Sequence, residues 1–287
     1  MALQYASLIT LLIGGVTTGF NDAFIINTET KNRIINENNN SKELIKPLLR
    51  GRDINRFNTD NIELWLIYIP KGFTIKNSST NPNFNIQGNV VSEPPPRYGN
   101  MENDEAANWF KKNYSAIWNH IEPYKHQLIQ RLDKGDFWWE LRACAYLNYF
   151  EKEKIVFTKA SKIQAFAFDL SKSYLLNTCY FLYSDNSKSL LAILNSQLIK
   201  FSFLKFYQSG GIEGEITLQA IEKIPIPKIP NSIGVKFNKL VDNILALKAA
   251  DAKADTSALE TEIDTMVYKL YNLTPEEITI VEESTKK

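Results

Sequence analysis

Apolar residues in this chain fall into short continuous runs, typical of strands, and into stripes at helical spacing. Residues 64–69 are apolar throughout and end at Pro70, which predicts a strand covered on both faces. The apolar run at residues 8–16 predicts another buried strand. Three more strands, separated by Ser, Lys and Asn turns, are predicted at residues 154–158, 164–168 and 174–182.

Helical spacing dominates the remainder of the chain. It predicts a helix over residues 103–120, a further turn up to Arg131, a short helix ending at Phe150 and a short helix over residues 41–49. Residues 187–206 are apolar on nearly every side, which predicts a centrally placed helix. A short helix is expected near residues 218–222.

Three helices are predicted at the C-terminal end. The first has a stripe of Phe237, Leu240, Val241, Ile244 and Leu245, and the second a stripe of Leu259, Ile263, Val267 and Leu270. A capping box formed by Ser257 and Glu260 is expected to open the second, and Pro275 the third, at its first helical position.

Polar and glycine-rich segments predict the connections. Residues 14–19 are expected to form a hairpin turn, residues 31–40 a surface loop, and residues 73–99 little regular structure. Residues 224–227, Ile-Pro-Ile-Pro, predict an extended strap. The pattern predicts an α+β fold: a sheet-containing body over residues 1–228, with a helical segment at 229–287 packed on it. A division of the body into two lobes near residues 100–120 is an alternative.

The formal net charge is only +1, but it is unevenly distributed. From residue 251 to the end, nine acids and four bases give −5, which leaves +6 on residues 1–250. Such a body is compatible with nucleic-acid contact through one face. The two cysteines, Cys144 and Cys179, favour a reduced interior over a disulfide framework, and no apolar run is long enough to span a membrane. A cytoplasmic location is therefore expected.

Catalytic and metal-binding patterns are missing from the sequence. His120 and His126, the only histidines, have no metal-ligand spacing, and no nucleophile elbow or phosphate-binding loop occurs. The acid-x-lysine pairs at residues 29–31 and 251–253 lack the strand expected of a nuclease, and the acids on the C-terminal helices are expected on solvated faces. We expect neither a catalytic residue nor a metal site.

The basic residues that remain suggest binding chemistry. Arg50, Arg52 and Arg56 surround Gly51, with only Asp53 opposing them. Guanidinium groups can donate two parallel hydrogen bonds to phosphate oxygens or to the guanine edge, although a helix end with ordinary surface cations is an equally simple interpretation. Further basic and polar candidates on loops are Arg97, Lys159, Lys162, Lys205, Tyr207 and Gln208.

The order of several segments is more informative than any one of them. The segments are residues 15–24, 45–54 with its Arg-Gly-Arg-Asp, 138–141 (Trp-Trp-Glu-Leu), 154–157, 191–197, 224–227 and 262–274. Their succession resembles the C-terminal target-recognition region of TaqI-like adenine-specific DNA methyltransferases and single-chain restriction-modification enzymes. The resemblance extends from about Gly14 to Glu283, and the family motif covers Arg50 and Arg52 among the candidate DNA-contacting residues.

The resemblance implies a module that docks on double-stranded DNA and reads its sequence while a catalytic domain, in cis or as a partner chain, methylates adenine. The S-adenosylmethionine site and the Asn-Pro-Pro-Tyr/Phe motif expected in that domain are absent here, since residues 81–84 read Asn-Pro-Asn-Phe. We expect no cofactor in this chain and no methylation by it alone. A second interpretation is a helical assembly subunit that docks a methylase or restriction partner without itself reading DNA.

Overall fold

Eight strands lie in the part of the chain that this computed structural model describes, residues 11–78, 104–159, 164–207 and 218–286. They are β1 (Leu11–Gly14), β2 (Ile25–Asn27), β3 (Ile45–Leu49), β4 (Leu64–Ile67), β5 (Lys154–Thr158), β6 (Phe166–Asp169), β7 (Tyr174–Leu175) and β8 (Cys179–Tyr183). The α-helices of these ranges are α1 (Asn21–Phe24), α2 (Thr28–Glu37), α3 (Phe73–Asn77), α4 (Asp104–Asn113), α5 (Ser115–Ile121), α6 (Lys125–Gln130), α7 (Leu147–Phe150), α8 (Ser187–Leu194), α9 (Gln197–Ser202), α10 (Leu218–Lys223), α11 (Asn231–Ala250), α12 (Ser257–Leu270) and α13 (Pro275–Thr285). The combination confirms the predicted α+β class.

The chain divides into two units, and neither is continuous in sequence. Unit 1 comprises Met1–Gly15, Leu49–Asn61 and Tyr146–Lys287, and unit 2 comprises Val16–Leu48 and Ile62–Ala145. These boundaries differ from the sequence-based division at residue 228, because the helical C-terminal segment shares a unit with the sheet on which it packs. No helix in the described part of the chain is both long and apolar enough to cross a membrane.

Unit 1 is built on an antiparallel sheet in the order β1-β8-β5-β6. Ile155 of β5 pairs with Leu182 of β8 on one side and with Phe168 of β6 on the other. All three side chains belong to one buried cluster together with those of α8, whose residues 189–194 are buried without exception. This burial confirms the central position predicted for the apolar helix.

The predicted helix over residues 187–206 is interrupted at Asn195 and Ser196. The Asn195 side chain donates to the Phe166 carbonyl (2.8 Å) and accepts the Phe166 N–H (3.2 Å). It therefore binds the backbone at the start of β6, at the point where α8 ends. Ser196 then caps α9 by accepting the Ile199 N–H (3.3 Å). Beyond α9 the chain forms a turn of π-helix at Phe203–Tyr207.

The C-terminal helices bury their apolar stripes within unit 1 itself. Phe237, Val241 and Ile244 of α11 and Ile263 and Val267 of α12 are all at most 1% exposed and join the same cluster as the sheet. The apolar stripes that suggested an assembly subunit are therefore covered by the chain's own core.

A fully buried ion pair joins two strands of unit 1. Lys154 on β5 and Asp169 on β6 are each 0% exposed, and the Lys154 Nζ lies 2.7 Å from the Asp169 Oδ2. Lys154 also donates to the Phe150 carbonyl (2.8 Å), and Asp169 accepts the N–H groups of Ser171 (3.0 Å) and Ser173 (2.7 Å). Burial lowers the pKa of Lys154 and the charge of Asp169 opposes this shift. The pair fixes the β5-β6 edge and the turn that follows it.

Unit 2 contains β4 between β2 and β3, with both pairings antiparallel. Leu66 and Ile67 of β4 are 0% exposed, which confirms the predicted core strand. Beside the sheet lies an aromatic cluster around Trp139, whose ring centroid is 4.6 Å from that of Phe137 and 5.4 Å from that of Trp118. The aromatic run at residues 137–139 is therefore part of the core.

Two buried charged side chains hold the loops of unit 2. The Glu140 carboxylate, 0% exposed, accepts the backbone N–H groups of Gly72 (3.1 Å), Thr74 (3.0 Å) and Asp136 (2.9 Å). Arg131, 6% exposed, donates to carbonyl oxygens, among them that of Trp138 (2.7 Å) and that of Glu140 (3.1 Å). Burial lowers the pKa of Arg131 to about 10, so the guanidinium remains charged at neutral pH. Neither side chain stood out in the sequence.

The helix predicted over residues 41–49 is wrong. The chain forms a 3-10 helix at Asn39–Leu44 and then β3, in which Pro47 pairs with Trp65 of β4. Ile45, Leu48 and Leu49 are buried by tertiary packing, and Pro47 disfavours a continuous helix. A short apolar run fits a strand as well as a helix, and packing decides between them.

The loop predicted over residues 31–40 is wrong as well, because α2 covers most of it. Asn27 caps this helix by accepting the Thr30 N–H (2.8 Å), and Ile34 is 0% exposed. Nor do residues 14–19 form a hairpin turn, since β1 pairs with β8 and β2 pairs with β4. Gly15 instead packs so closely that an added Cβ would lie 2.1 Å from the Leu176 carbonyl oxygen.

Smaller differences concern helix ends and breaks. α4 and α5 replace one predicted helix over residues 103–120, with Tyr114 between them, and α3 lies in a segment predicted to be irregular. α12 is preceded by Thr256, whose hydroxyl donates to Glu260 (2.7 Å), so Ser257 is not the capping residue. Pro275 does open α13, and Thr274 forms a capping box with Glu277.

Candidate nucleic-acid interface

The turn at Arg50–Asp53 is held by its own charged side chains. Asp53 accepts three hydrogen bonds from Arg50: from its backbone N–H (2.8 Å), from Nε (2.9 Å) and from Nη2 (2.8 Å). Burial of Asp53 acts to raise its pKa, but the hydrogen bonds from Arg50 and the charges of Arg50 and Arg52 outweigh it and lower the pKa. Arg50, and not Arg52, therefore locks Asp53 in place.

Arg52 occupies the middle of this turn and is exposed. Its side chain donates no hydrogen bond to a described residue, and its exposure leaves the guanidinium accessible to a ligand. Gly51 packs against the end of β5, where an added Cβ would lie 2.9 Å from the Thr158 Cγ2. The next residue, Lys159, is also exposed, and its N–H donates to the Thr178 carbonyl (2.9 Å). The packing of Gly51 against Thr158 brings the turn that carries Arg52 next to the segment that carries Lys159.

Arg56 lies on the following loop and is engaged with the C-terminal helices. Its Nε donates to the Glu260 Oε2 of α12 at 2.6 Å, and its guanidinium carbon lies 5.2 Å from the centre of the Phe57 ring. Phe57 is fully buried with a φ of 71°, a strained conformation for a bulky residue, and is held by hydrogen bonds to Phe166 and from Phe168 (2.9 Å each). The loop position of Arg56 is therefore fixed by packing.

Lys205 is exposed on the π-helix Phe203–Tyr207, between two apolar side chains that are also exposed. Leu204 is 41% and Phe206 71% exposed. The sequence pointed to this segment through Lys205, Tyr207 and Gln208, but exposure of an aromatic side chain cannot be read from a helical pattern. Tyr207 ends the π-helix, and Arg97, Lys162 and Gln208 lie outside the described residues.

Of the candidates, the structure brings Arg50, Arg52 and Lys159 together at the contact between Gly51 and Thr158. Arg56 is joined to α12, and Lys205 lies on a separate helical turn. Their contacts with DNA stay predictions. The sequence offered no sign that Glu260 would partner Arg56, because the two are 204 residues apart. One expectation for the acids of this region is wrong: Asp264 is 9% exposed and does not lie on a solvated face.

Removing the acceptor at the turn is expected to destabilise unit 1. Asp53→Ala leaves the Arg50 N–H and guanidinium without their partner, and we expect a loss of about 1–3 kcal/mol in the free energy of unfolding at neutral pH. Because the folded-state pKa of Asp53 lies below its ordinary value of 3.8, this contribution is present above that value and is lost as the pH falls through the folded-state pKa. Urea unfolding at neutral and acidic pH, with Glu222→Ala as the control at an exposed acid, measures both effects. An equal loss in the two variants would contradict the assigned role.

The fold and this turn define an α+β domain that presents cations on loops braced by a sheet and a helical segment. Residues 46–226, more than half of the chain, match the family model described as the TaqI-like C-terminal specificity domain, and the chain belongs to this family.

Among solved structures, the chain is similar to that of the Type IIL restriction-modification enzyme MmeI in complex with DNA. The TM-score is 0.61 at 10% sequence identity, a likeness of fold. The match covers 100% of this chain and 37% of the MmeI chain, so this chain spans well under half the length of that enzyme. No curated protein matches.

Proposed function

We propose that this chain recognises a specific sequence in double-stranded DNA as part of an adenine-N6 DNA methyltransferase or restriction-modification enzyme. The observation that carries the proposal is membership of the TaqI-like specificity family over residues 46–226. The likeness of fold to MmeI, a restriction-modification enzyme solved in complex with DNA, agrees with it. Catalysis would belong to a separate domain or partner chain that binds S-adenosylmethionine, with this chain supplying the choice of site.

The braced turn at Gly51 suits contact with the phosphate backbone. Arg50 is bound to Asp53 at both carboxylate oxygens, whereas Arg52 presents its fork to solvent next to the segment of Lys159. Phosphate contacts set the position and register of a protein on the duplex, and base contacts set its specificity. We assign Arg52 and Lys159 to anchoring on phosphates, because the turn that carries Arg52 is held by Arg50 and Asp53 and packs against the end of β5, which Lys159 follows. In the described part of the chain Arg56 donates only through Nε, to Glu260, so its Nη groups can bind a nearby phosphate.

The segment around Lys205 suits a contact of a different kind. Lys205 is flanked by the exposed Leu204 and Phe206, and an apolar side chain beside a cation can contact a base while the cation binds the adjoining phosphate. We place base reading here and on Tyr207 and Gln208, the next residues in sequence, while Lys162 and Arg97 stay candidate DNA contacts from the sequence alone.

Salt dependence of binding tests the anchoring role without knowledge of the target. In fluorescence anisotropy with a mixed-sequence duplex, the logarithm of the association constant should fall linearly with the logarithm of salt concentration. Arg52→Ala and Lys159→Ala should each weaken binding and reduce the magnitude of the slope by about 0.9, the value for one lost phosphate contact. Lys239→Ala, at an exposed lysine of α11, should leave the slope unchanged.

The possible results distinguish a wrong assignment of the phosphate contacts from a wrong assignment of the function. Wild-type slopes in both variants would show that the turn does not contact phosphates. Absence of any salt-dependent binding by the wild-type chain would contradict DNA recognition by the chain itself.

A further inference from the structure

A polar pocket lies among the C-terminal helices, away from the turn at Gly51. It has a volume of about 260 Å³ and is lined by residues of α9, α12 and α13. From α12 come Thr261, Asp264, Thr265 and Tyr268, which are spaced three and four residues apart and so share one helix face. The opposite side of α12 carries the apolar residues that enter the core of unit 1. Thr261 and Thr265 on this face are exposed, whereas Asp264 and Tyr268 are buried beneath it.

Tyr268 provides the clearest unsatisfied group in this pocket. Its side chain is 95% buried, and within the described residues its hydroxyl has no hydrogen-bond partner. The Gln197 Oε1, at the start of α9, is likewise buried without a partner in the described part of the chain. A buried polar atom without a partner costs about 1–3 kcal/mol, so two of them in one pocket favour the binding of a hydrogen-bonding group there.

Asp264 supplies the charge of the pocket. Its Oδ1 accepts the Gln197 N–H at 2.8 Å, while its Oδ2 bonds to no described residue. Glu282 of α13 adds a second carboxylate at the wall. Three oxygen acceptors, from Asp264, Gln197 and Tyr268, therefore line a negatively charged pocket.

We propose that this pocket binds a primary ammonium group through the oxygens of Gln197, Asp264 and Tyr268. An ammonium group has three N–H donors and one positive charge, which match three acceptors and a carboxylate. We do not assign a divalent metal ion to the pocket, because the described residues contain no group of three or more His, Cys, Asp or Glu side chains able to hold one. The ammonium can belong to a free polyamine or to a lysine side chain of another polypeptide. This assignment does not depend on DNA recognition.

The protonation of Asp264 makes the site dependent on pH. Burial, together with the charges of Glu260 and Glu282, raises its pKa to about 6, while the Gln197 N–H and the charge of Arg56 act in the opposite direction. Lys286 lines the pocket, and Lys200 of α9 donates to the neighbouring Thr285 carbonyl (2.8 Å). Because protonation removes the charge that attracts the ammonium, binding should weaken as the pH falls through about 6.

Isothermal titration of the full chain with n-propylammonium chloride at pH 7.5 tests the proposal. Tetramethylammonium chloride, which has the same charge but no N–H donor, is the matched control ligand. We expect saturable binding of propylammonium alone, weaker by at least about tenfold in Asp264→Asn and by several-fold in Tyr268→Phe. Glu282→Gln should weaken binding, whereas Glu283→Gln, the neighbouring acid outside the pocket, should not.

Two further ligands distinguish the sources of the ammonium group. Tighter binding of Nα-acetyl-lysinamide than of spermidine would assign the pocket to a lysine side chain, and the reverse order to a polyamine.

Three results would overturn the proposal. They are equal binding of the two simple cations, wild-type affinity in both Asp264→Asn and Tyr268→Phe, and binding that appears only in Lys286→Ala. The last would mean that the chain's own lysine occupies the pocket. Circular dichroism of each variant, with unchanged spectra required, separates lost binding from lost folding.

Discussion

Replacing Lys154 with methionine is expected to lower the free energy of unfolding of unit 1 by about 3–5 kcal/mol. The substitution keeps the length of the side chain but leaves the fully buried Asp169 carboxylate without its counter-ion. An unpaired buried charge is among the most destabilising features that a single substitution can create. Denaturant unfolding followed by far-UV circular dichroism measures the loss, because all five tryptophans lie in unit 2, and amide hydrogen exchange shows whether it is concentrated in β5 and β6.

A double variant tests the physical cause of this loss. Adding Asp169→Asn removes the unpaired charge while keeping an oxygen that can accept the Ser173 N–H, so the double variant should regain part of the lost stability. Lys239→Met, at an exposed lysine, should change stability by less than about 0.5 kcal/mol. A double variant less stable than Lys154→Met would show that the lost packing, and not the unpaired charge, determines the effect.

The second large effect is expected in unit 2. Glu140→Ala removes the acceptor of the backbone N–H groups of Gly72, Thr74 and Asp136. We expect a loss of about 3–5 kcal/mol, since an orphaned buried donor costs about 1–3 kcal/mol and the N–H groups of Gly72 and Asp136 are only part-buried. Glu140→Gln retains one acceptor oxygen and should lose less. Exchange of the Gly72, Thr74 and Asp136 amides, measured by hydrogen–deuterium exchange, should accelerate most in the alanine variant.

Glu122→Ala, at an exposed acid in the same unit, is the matched control and should leave these amides protected. Unchanged protection of all three amides in Glu140→Ala would contradict the role assigned to the carboxylate.

Strong local patterns predicted much of this fold. The run at β4, the strands β5 and β8, the central α8 and the three C-terminal helices were all recognisable, because their apolar spacing matches the burial that the structure gives them. Residues 45–49 were misassigned because five residues are too few to distinguish a strand from a helix. Pairing with β4 determines that these residues form a strand.

The helix at residues 28–37, which overlaps the loop predicted over residues 31–40, illustrates a different limit of prediction from sequence. The Asn-rich composition predicted a loop, yet one cap at Asn27 and one buried apolar side chain, Ile34, accompany a helix there. The polar composition reflects the exposed side of this helix and does not reveal that one position, Ile34, is buried.

The basic turn was identified from sequence, but the roles of its members were not. Three arginines in seven residues look equivalent, whereas the structure commits Arg50 to Asp53, commits Arg56 to Glu260 and leaves Arg52 facing solvent. The partner of Arg56 lies 204 residues away, and no local pattern encodes that distance. Asp264 was misjudged for the same reason, because it has the spacing of a solvated residue and is buried only by the contact with α9, where it accepts the Gln197 N–H.

The interleaving of the two units has a consequence for synthesis on the ribosome. β1 (Leu11–Gly14) is translated before unit 2, but among the described residues it pairs with β8 (Cys179–Tyr183), and all of unit 2 is translated in between. The sheet of unit 1 therefore cannot close until β8 has been made, whereas the strands of unit 2 are complete earlier. Transplanting unit 2 into a relative would also need junctions on both sides of residues 49–61, because no single continuous cassette contains it.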